Sequence, residues 1–134
     1  MNWLVKEEPS NYPFTRFQQE GRTVWSGVKN PVAQKHLRAM MPGDRVFFYH
    51  TGDEKAIVGT ARVAGAPYRD PGNADSSLYA VELTCDAALA TPVTLKAVKA
   101  DPRFADFALT RVPRLSVMPV TDEQWAMLTA MARA

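Results

Sequence analysis

The chain has 134 residues, 46% of them hydrophobic, which is enough core for one domain, and no linker divides it. Its 16 Lys and Arg against 14 Asp and Glu give a formal charge of +2; this argues against coating nucleic acid by bulk charge, so anion binding has to come from local clusters. A single cysteine, Cys85, rules out an intramolecular disulfide, and no apolar run reaches signal-peptide or membrane-spanning length, so one soluble, monomeric, cytoplasmic domain over residues 1–134 is expected, with no membrane partner.

In chain order, the apolar stretch Asn2 to Val5 reads as a first strand and Glu8-Pro9-Ser10-Asn11 as a turn. Thr15 to Glu20 makes one or two helical turns stopped by Gly21, and Thr23 to Trp25 is a brief extended piece. Asn30 caps a helix that opens on Pro31, with Val32, Leu37, Met40 and Met41 on or near its apolar face and Gln34, Lys35 and Arg38 off it. Met41-Pro42-Gly43-Asp44 ends that helix. Arg45 to His50 is a strand whose alternation sends Val46, Phe48 and His50 to one face and Phe47 and Tyr49 to the other. Thr51-Gly52-Asp53-Glu54 turns the chain into a returning strand, Ala56 to Val63, in which Gly59 marks a bulge or a close approach. A polar loop from Pro67 to Ser77 precedes a strand from Leu78 to Asp86. Thr94 caps a short helix to Ala100. Leu115 to Val120 is a late strand, whose Pro119 points to an edge or a strand end, and Thr121 to Gln124 is a capping box that starts a terminal helix with Trp125, Leu128 and Met131 on one face. Mostly consecutive short strands with short helices at their ends predict an α+β domain, with a small barrel favoured over an open parallel sheet.

The sequence contains no HExxH, CxxC, GxGxxG, P-loop or GxSxG pattern, and two histidines with one cysteine do not make a structural zinc site; no metal or cofactor is expected. The acidic pairs Glu7/Glu8, Asp53/Glu54 and Asp122/Glu123 fall at turns or helix starts, where solvation or capping explains them. His50 ends an aromatic strand at the rim of the sheet; it is either tied into the strand end or an edge group at a pocket mouth. His36 reads as surface. Trp3, Trp125, Phe47 and Phe48 read as core. Trp25 differs: Ser26 and Gly27 leave room beside its indole, and it stands equally between core and pocket wall. From Gly21 to Gly43 there are four Lys or Arg and no acid. An aromatic beside local positive charge fits something flat attached to something anionic, such as a nucleobase taken out of its stack. Trp25, Tyr49, His50, Ser26, Asn30 and Lys6 are candidates for its face and edge, and Lys29, Lys35 and Arg38 for its flanking phosphates.

WLVKEEPSNY, TVWSGVKNPVAQKHLRAMMPGDRVFFYH, and PVTLKAVKADP followed by RLSVMPVTDEQW resemble, in order and spacing over almost the whole chain, the EVE domain family of the PUA-like superfamily. The resemblance implies a β pseudo-barrel with helices packed around it and a pocket for a modified base, with 5-methylcytosine or 5-hydroxymethylcytosine as the ligand class. It implies pocket roles for Lys6 and Glu8 in the KxEP segment, for Trp25, Ser26, Gly27, Val28 and Asn30 in W-x-G-V-x-N, for Tyr49 and His50 at the end of FYH, and for Arg114, Leu115 and Ser116 in RLSV. Lys29 stands where the family usually has Arg, and Pro31 where an aromatic often follows. The loop from Pro67 to Leu78 lacks the tryptophan that closes a longer segment in many members; Tyr79 is the nearest substitute, so a more open pocket is expected. The implied activity is non-enzymatic binding of modified DNA. RNA binding, a small hydrolase or modification enzyme using His50, and a protein-interaction domain stand as alternatives.

Overall fold

The computed structural model describes residues 1–72 and 77–133. Its elements are β1 (Asn2–Glu7), α1 (Phe14–Glu20), β2 (Arg22–Trp25), α2 (Pro31–Arg38), β3 (Arg45–His50), β4 (Ala56–Val63), β5 (Tyr68–Arg69), β6 (Tyr79–Thr94), α3 (Leu95–Ala100), a 3-10 turn (Pro102–Phe104), α4 (Ala108–Arg111), β7 (Val117–Val120) and α5 (Asp122–Ala132). The strands form one mixed sheet in the order β2-β6-β4-β3-β1-β7, with β5 added to β6. Only β1 and β3 run parallel, Trp3 beside Val46; every other pair is antiparallel. The mixed α/β class agrees with the sequence. The expected barrel closure does not: β2 and β7 end the ladder without pairing to each other, so the sheet is open among the described residues.

Both faces of the sheet are covered, which is why Val46 to His50 are all buried and read as a continuous apolar run rather than as one dry and one wet face. On one side Phe48 meets Phe14, Phe17 and Trp25; on the other Phe47 stacks on Trp125 of α5 at 3.8 Å between ring centres. Gly59 sits opposite Phe48 at a bulge in β4, where a Cβ would overlap the Phe14 ring.

Local caps follow the sequence. Asn30 accepts from Val32 N and Ala33 N, Thr94 from Ala97 N, and Thr121 with Gln124 closes the capping box. The apolar face of α2 follows in part: Leu37 and Met40 are buried as expected, together with Ala33 and Gln34, while Val32 is 51% exposed and the nearby Met41 65%. Further strand lies beyond Asp86, since β6 continues to Thr94 along β4. The loop from Pro67 contains β5, and its residues 73–76 lie outside the described residues. The last strand starts at Val117, and β7 is an edge strand as Pro119 predicted.

Candidate nucleic-acid interface

β2 ends on Trp25, paired across to Val81 of β6, and the chain then leaves the sheet. Gly27, at φ +72°, makes the turn, and its N–H donates to Asp70 Oδ2 at 2.8 Å. Asp70 is buried and accepts from Gly72 N through its other oxygen at 2.9 Å, so the segment after β5 holds the segment after β2. Gln34 fastens the same stretch from α2: its amide N–H groups reach Val28 O at 2.7 Å and Tyr79 O at 3.0 Å, and its Oε1 accepts from Tyr79 N at 3.0 Å. These contacts set the position of the Trp25 ring, which is 6% exposed and meets Phe48 edge-on at 5.4 Å.

Beside that ring lies a hollow of about 290 Å³, at the small end of ligand pockets. Trp25, Ser26, Thr23 and Val24 line it from β2 and the following turn; Glu7 lines it from β1, Asn11 and Tyr12 from the connection after β1, and Arg16 from α1. Trp25 is thus a core residue that also borders this hollow. The Glu7 carboxylate accepts from Glu8 N at 2.8 Å and Asn11 Nδ2 at 3.3 Å. The Tyr12 hydroxyl donates to Glu20 at 2.6 Å, and the Arg16 guanidinium lies 5.3 Å from the Tyr12 ring centre. Burial and the Glu20 carboxylate push the Tyr12 phenol up, so it stays protonated at neutral pH. Nothing in the sequence points Glu7, Asn11, Tyr12 or Arg16 to this hollow: Asn11 fits turn chemistry and Glu7 a solvated acid.

The other expected site residues do not all converge here. Tyr49 does not oppose Trp25. Strand alternation sends it to the other face, where it lines a second hollow of about 250 Å³ with Lys6. Lys6 Nζ donates to Pro113 O at 2.9 Å and lies 5.5 Å from the Tyr49 ring centre. His50 gives up the role of free edge group or catalytic base: its Nε2 accepts from Phe14 N at 3.0 Å, which leaves Nδ1 to donate to Glu54 at 2.7 Å, and neither nitrogen is free. Glu8 accepts from the Thr51 hydroxyl at 3.2 Å and leans over Gly52. Asn30 spends its side-chain oxygen on the α2 cap. Val28 is half-buried, Leu115 is core, the Ser116 carbonyl accepts from Lys6 N, and Arg114 is an exposed turn residue.

Of the cations expected at phosphates, Lys29 and Arg38 line a third hollow of about 320 Å³ with Pro31, Gln34, Ser77 and Leu78. Arg38 lies 5.9 Å from the ring centre of Tyr79, and Lys35 is exposed on α2. Next to it His36 packs near Trp3, and burial followed by the Lys35 charge holds its imidazole below the usual value. Among the described residues no group of three His, Cys, Asp or Glu is placed to hold a metal ion. Among the described residues no helix is long and apolar enough to cross a membrane.

The fold and these hollows define a mixed α/β domain with several small surface hollows, one of them next to Trp25 and another lined by Lys29 and Arg38. The chain belongs to the EVE domain family, whose family model matches residues 1–131. An NMR structure of a Rhodopseudomonas palustris protein is 44% identical, with a TM-score of 0.93 over 98% of this chain and 92% of that one. A crystal structure of an Agrobacterium tumefaciens protein is 33% identical, with a TM-score of 0.94 and the same coverage. The human THYN1 protein, solved in complex with 5-methylcytosine containing DNA, is 22% identical with a TM-score of 0.91 over 99% of this chain and 98% of that one, a likeness of fold. Thymocyte nuclear protein 1 of Gallus gallus is 35% identical over 81 residues, which is 52% of this chain and 34% of that protein. The match thus spans about a third of that relative's length.

Proposed function

We propose that this domain is a non-enzymatic nucleic-acid-binding module that takes a modified cytosine, 5-methylcytosine or 5-hydroxymethylcytosine in DNA, into the hollow beside Trp25. The observation that carries this reading is the combination in one small hollow of a tryptophan wall, a second ring at Tyr12, an acceptor at Glu7 and a cation at Arg16. A flipped base needs a flat apolar surface, and each stacking contact is worth roughly 1–3 kcal/mol, comparable to the cost of unstacking. Edge contacts therefore have to tip the balance. Cytosine presents an amino group at N4, for which a carboxylate is the matching acceptor, and Glu7 supplies one. Asn11 and Ser26 line the same space and are the donors for the ring acceptors. The cations of α2 and its approach, Lys29, Lys35 and Arg38, meet flanking phosphates. A methyl group adds on the order of 1 kcal/mol, so discrimination of modified from plain cytosine is modest. The complex of the human THYN1 protein with 5-methylcytosine containing DNA supports the choice of base, and the PUA-like relationship of the family supports nucleic acid as the partner.

The test is a binding panel of short duplexes and single strands, DNA and RNA, that differ in one modified cytosine, run with Glu7→Gln beside the parent. Glu7→Gln is expected to weaken binding of the modified DNA strand about tenfold, in line with the loss of a charge-assisted hydrogen bond, with an unchanged unfolding midpoint. Equal affinity for both proteins removes Glu7 from the site. Preference for the RNA strands moves the module to RNA, and no binding to any strand at low salt ends the reading.

A further inference from the structure

On the opposite side of the sheet from Trp25, the hollow over Tyr49 has features that the modified-base reading does not use. Tyr49 is 3% exposed, yet its hydroxyl makes no hydrogen bond to any described residue. No fully buried side-chain polar atom lacks a partner among the described residues, so this oxygen is not sealed in: it opens into the hollow its residue lines. Three lysines, Lys6, Lys55 and Lys99, line the same space. Lys55 and Lys99 make no ion pair with a described residue, and Lys6 has no acid partner, only the Pro113 carbonyl and the face of the Tyr49 ring. The neighbouring acids are occupied in part: Glu54 by His50 Nδ1 and Glu8 by the Thr51 hydroxyl, which leaves Asp53 on the outer rim. A further hollow of about 470 Å³ shares Lys55, Leu95 and Lys99 with the first, so the groove continues past the lysines with room for whatever the anion is attached to.

Lys55 has a backbone peculiarity of its own. It is the one non-glycine among the described residues with positive φ, at +47°. Glycine is the least strained residue at that conformation, and the chain places a long cation there instead. Its carbonyl accepts from Leu95 N at 2.8 Å, which pins the turn and sets the root of the side chain at the groove.

From this geometry we propose that the groove over Tyr49 is a second binding site, for a phosphoryl group carried by a nucleotide or by a nucleic-acid strand, with the Tyr49 hydroxyl donating to a phosphate oxygen and Lys6, Lys55 and Lys99 supplying the charge. Tyrosine hydroxyls and lysine ammonium groups are both phosphate partners, the lysines acting as point charges. Burial pushes the Tyr49 phenol up, which keeps it a donor at neutral pH, and works against the charge on Lys6, which an anion would restore. The site stands whether or not a modified cytosine enters the other hollow.

The experiment follows backbone amide shifts of the full chain on titration with inorganic phosphate, a 5′-phosphorylated dinucleotide and the same dinucleotide without its terminal phosphate. Saturable shifts at Thr51, Gly52 and Lys55 are expected. Tyr49→Phe removes one oxygen and should weaken them about threefold to tenfold, and Lys55→Gly with Lys99→Ala by about tenfold or more. Lys55→Gly suits the local backbone, so folding is not what it tests. Binding of inorganic phosphate and the 5′-phosphorylated probe alone assigns a terminal phosphate; equal binding of both dinucleotides assigns a strand phosphodiester. No saturable shift at these amides with any probe, or shifts indifferent to all three substitutions, overturns the site. Glu7→Gln is expected to leave these titrations unchanged, which separates this site from the hollow beside Trp25.

Discussion

Asp44 shows how one side chain ties distant pieces of this fold together, and its acidity makes the tie measurable. Burial acts to raise its carboxyl, but Trp3 Nε1 at 2.9 Å, Met41 N at 3.0 Å and the Met1 amine at 3.0 Å outweigh that and hold it below the usual aspartate value. A carboxyl depressed in the folded state contributes stability above its unfolded pKa and loses it as pH falls through the folded one. Asp44→Asn is therefore expected to unfold about 1–3 kcal/mol more readily than the parent at neutral pH, with the gap narrowing on acidification. Urea denaturation across the acidic range checks this, and a gap that stays constant would show that charge is not what matters at this position. In the sequence Asp44 looks only like the end of a turn, because its main partner lies 41 residues away. Asp70 and Gln34 are hidden for the same reason, with partners 43 and 45 residues distant. Trp25 is core in the structure and borders the hollow, so substituting it with Ala would remove core packing at about 3–5 kcal/mol and makes it a poor probe of binding alone.

At the scale of elements, what was local was readable. The caps at Asn30, Thr94 and Thr121 and the aromatic strand β3 are written in adjacent residues, and each forms where expected. The far half of β6 is not written locally: Ala87 to Ala90 carry little strand propensity, and they extend because Ala87 and Ala88 pair with Thr60 and Gly59 of β4. The face of α2 is legible in part: the spacing of Leu37 and Met40 marks them as core, but nothing local marks Gln34, whose amide is satisfied inside the protein by three backbone groups from two other segments. That amide decides where the Trp25 to Asn30 segment lies. Gln34→Leu keeps the bulk but leaves Val28 O and the backbone N–H and C=O of Tyr79 without this partner; a loss of about 2–4 kcal/mol is expected, together with weaker binding at the Trp25 hollow. Asn30→Ala removes only the cap and should cost about 1 kcal/mol. Chemical denaturation ranks the two, and equal small effects would mean that the Gln34 contacts do not hold the segment.

For the whole molecule, a formal charge of +2 hides two separated cationic regions, one on and before α2 and one over Tyr49, on surfaces built from opposite faces of an open sheet. Charge patterning in the sequence exposed the first, since Lys29, Lys35 and Arg38 are close in the chain. It could not expose the second, whose lysines at 6, 55 and 99 meet only through β1, the β3–β4 turn and α3. Nor could it show that Lys6 and Tyr49 are parted from Trp25, because separation across a sheet depends on which faces are covered, and here both are. If the cations of α2 meet phosphates, they act on every strand alike. Lys35→Ala with Arg38→Ala is then expected to weaken modified and unmodified duplexes by the same factor and to flatten the dependence of log affinity on log salt by up to about 2, from two lost phosphate contacts. Titrations at several salt concentrations read both quantities. A loss confined to the modified duplex, with the slope unchanged, would place these two residues at the base instead, and the hollow lined by Lys29, Arg38 and Leu78 would replace the one beside Trp25 as the place where the base is held.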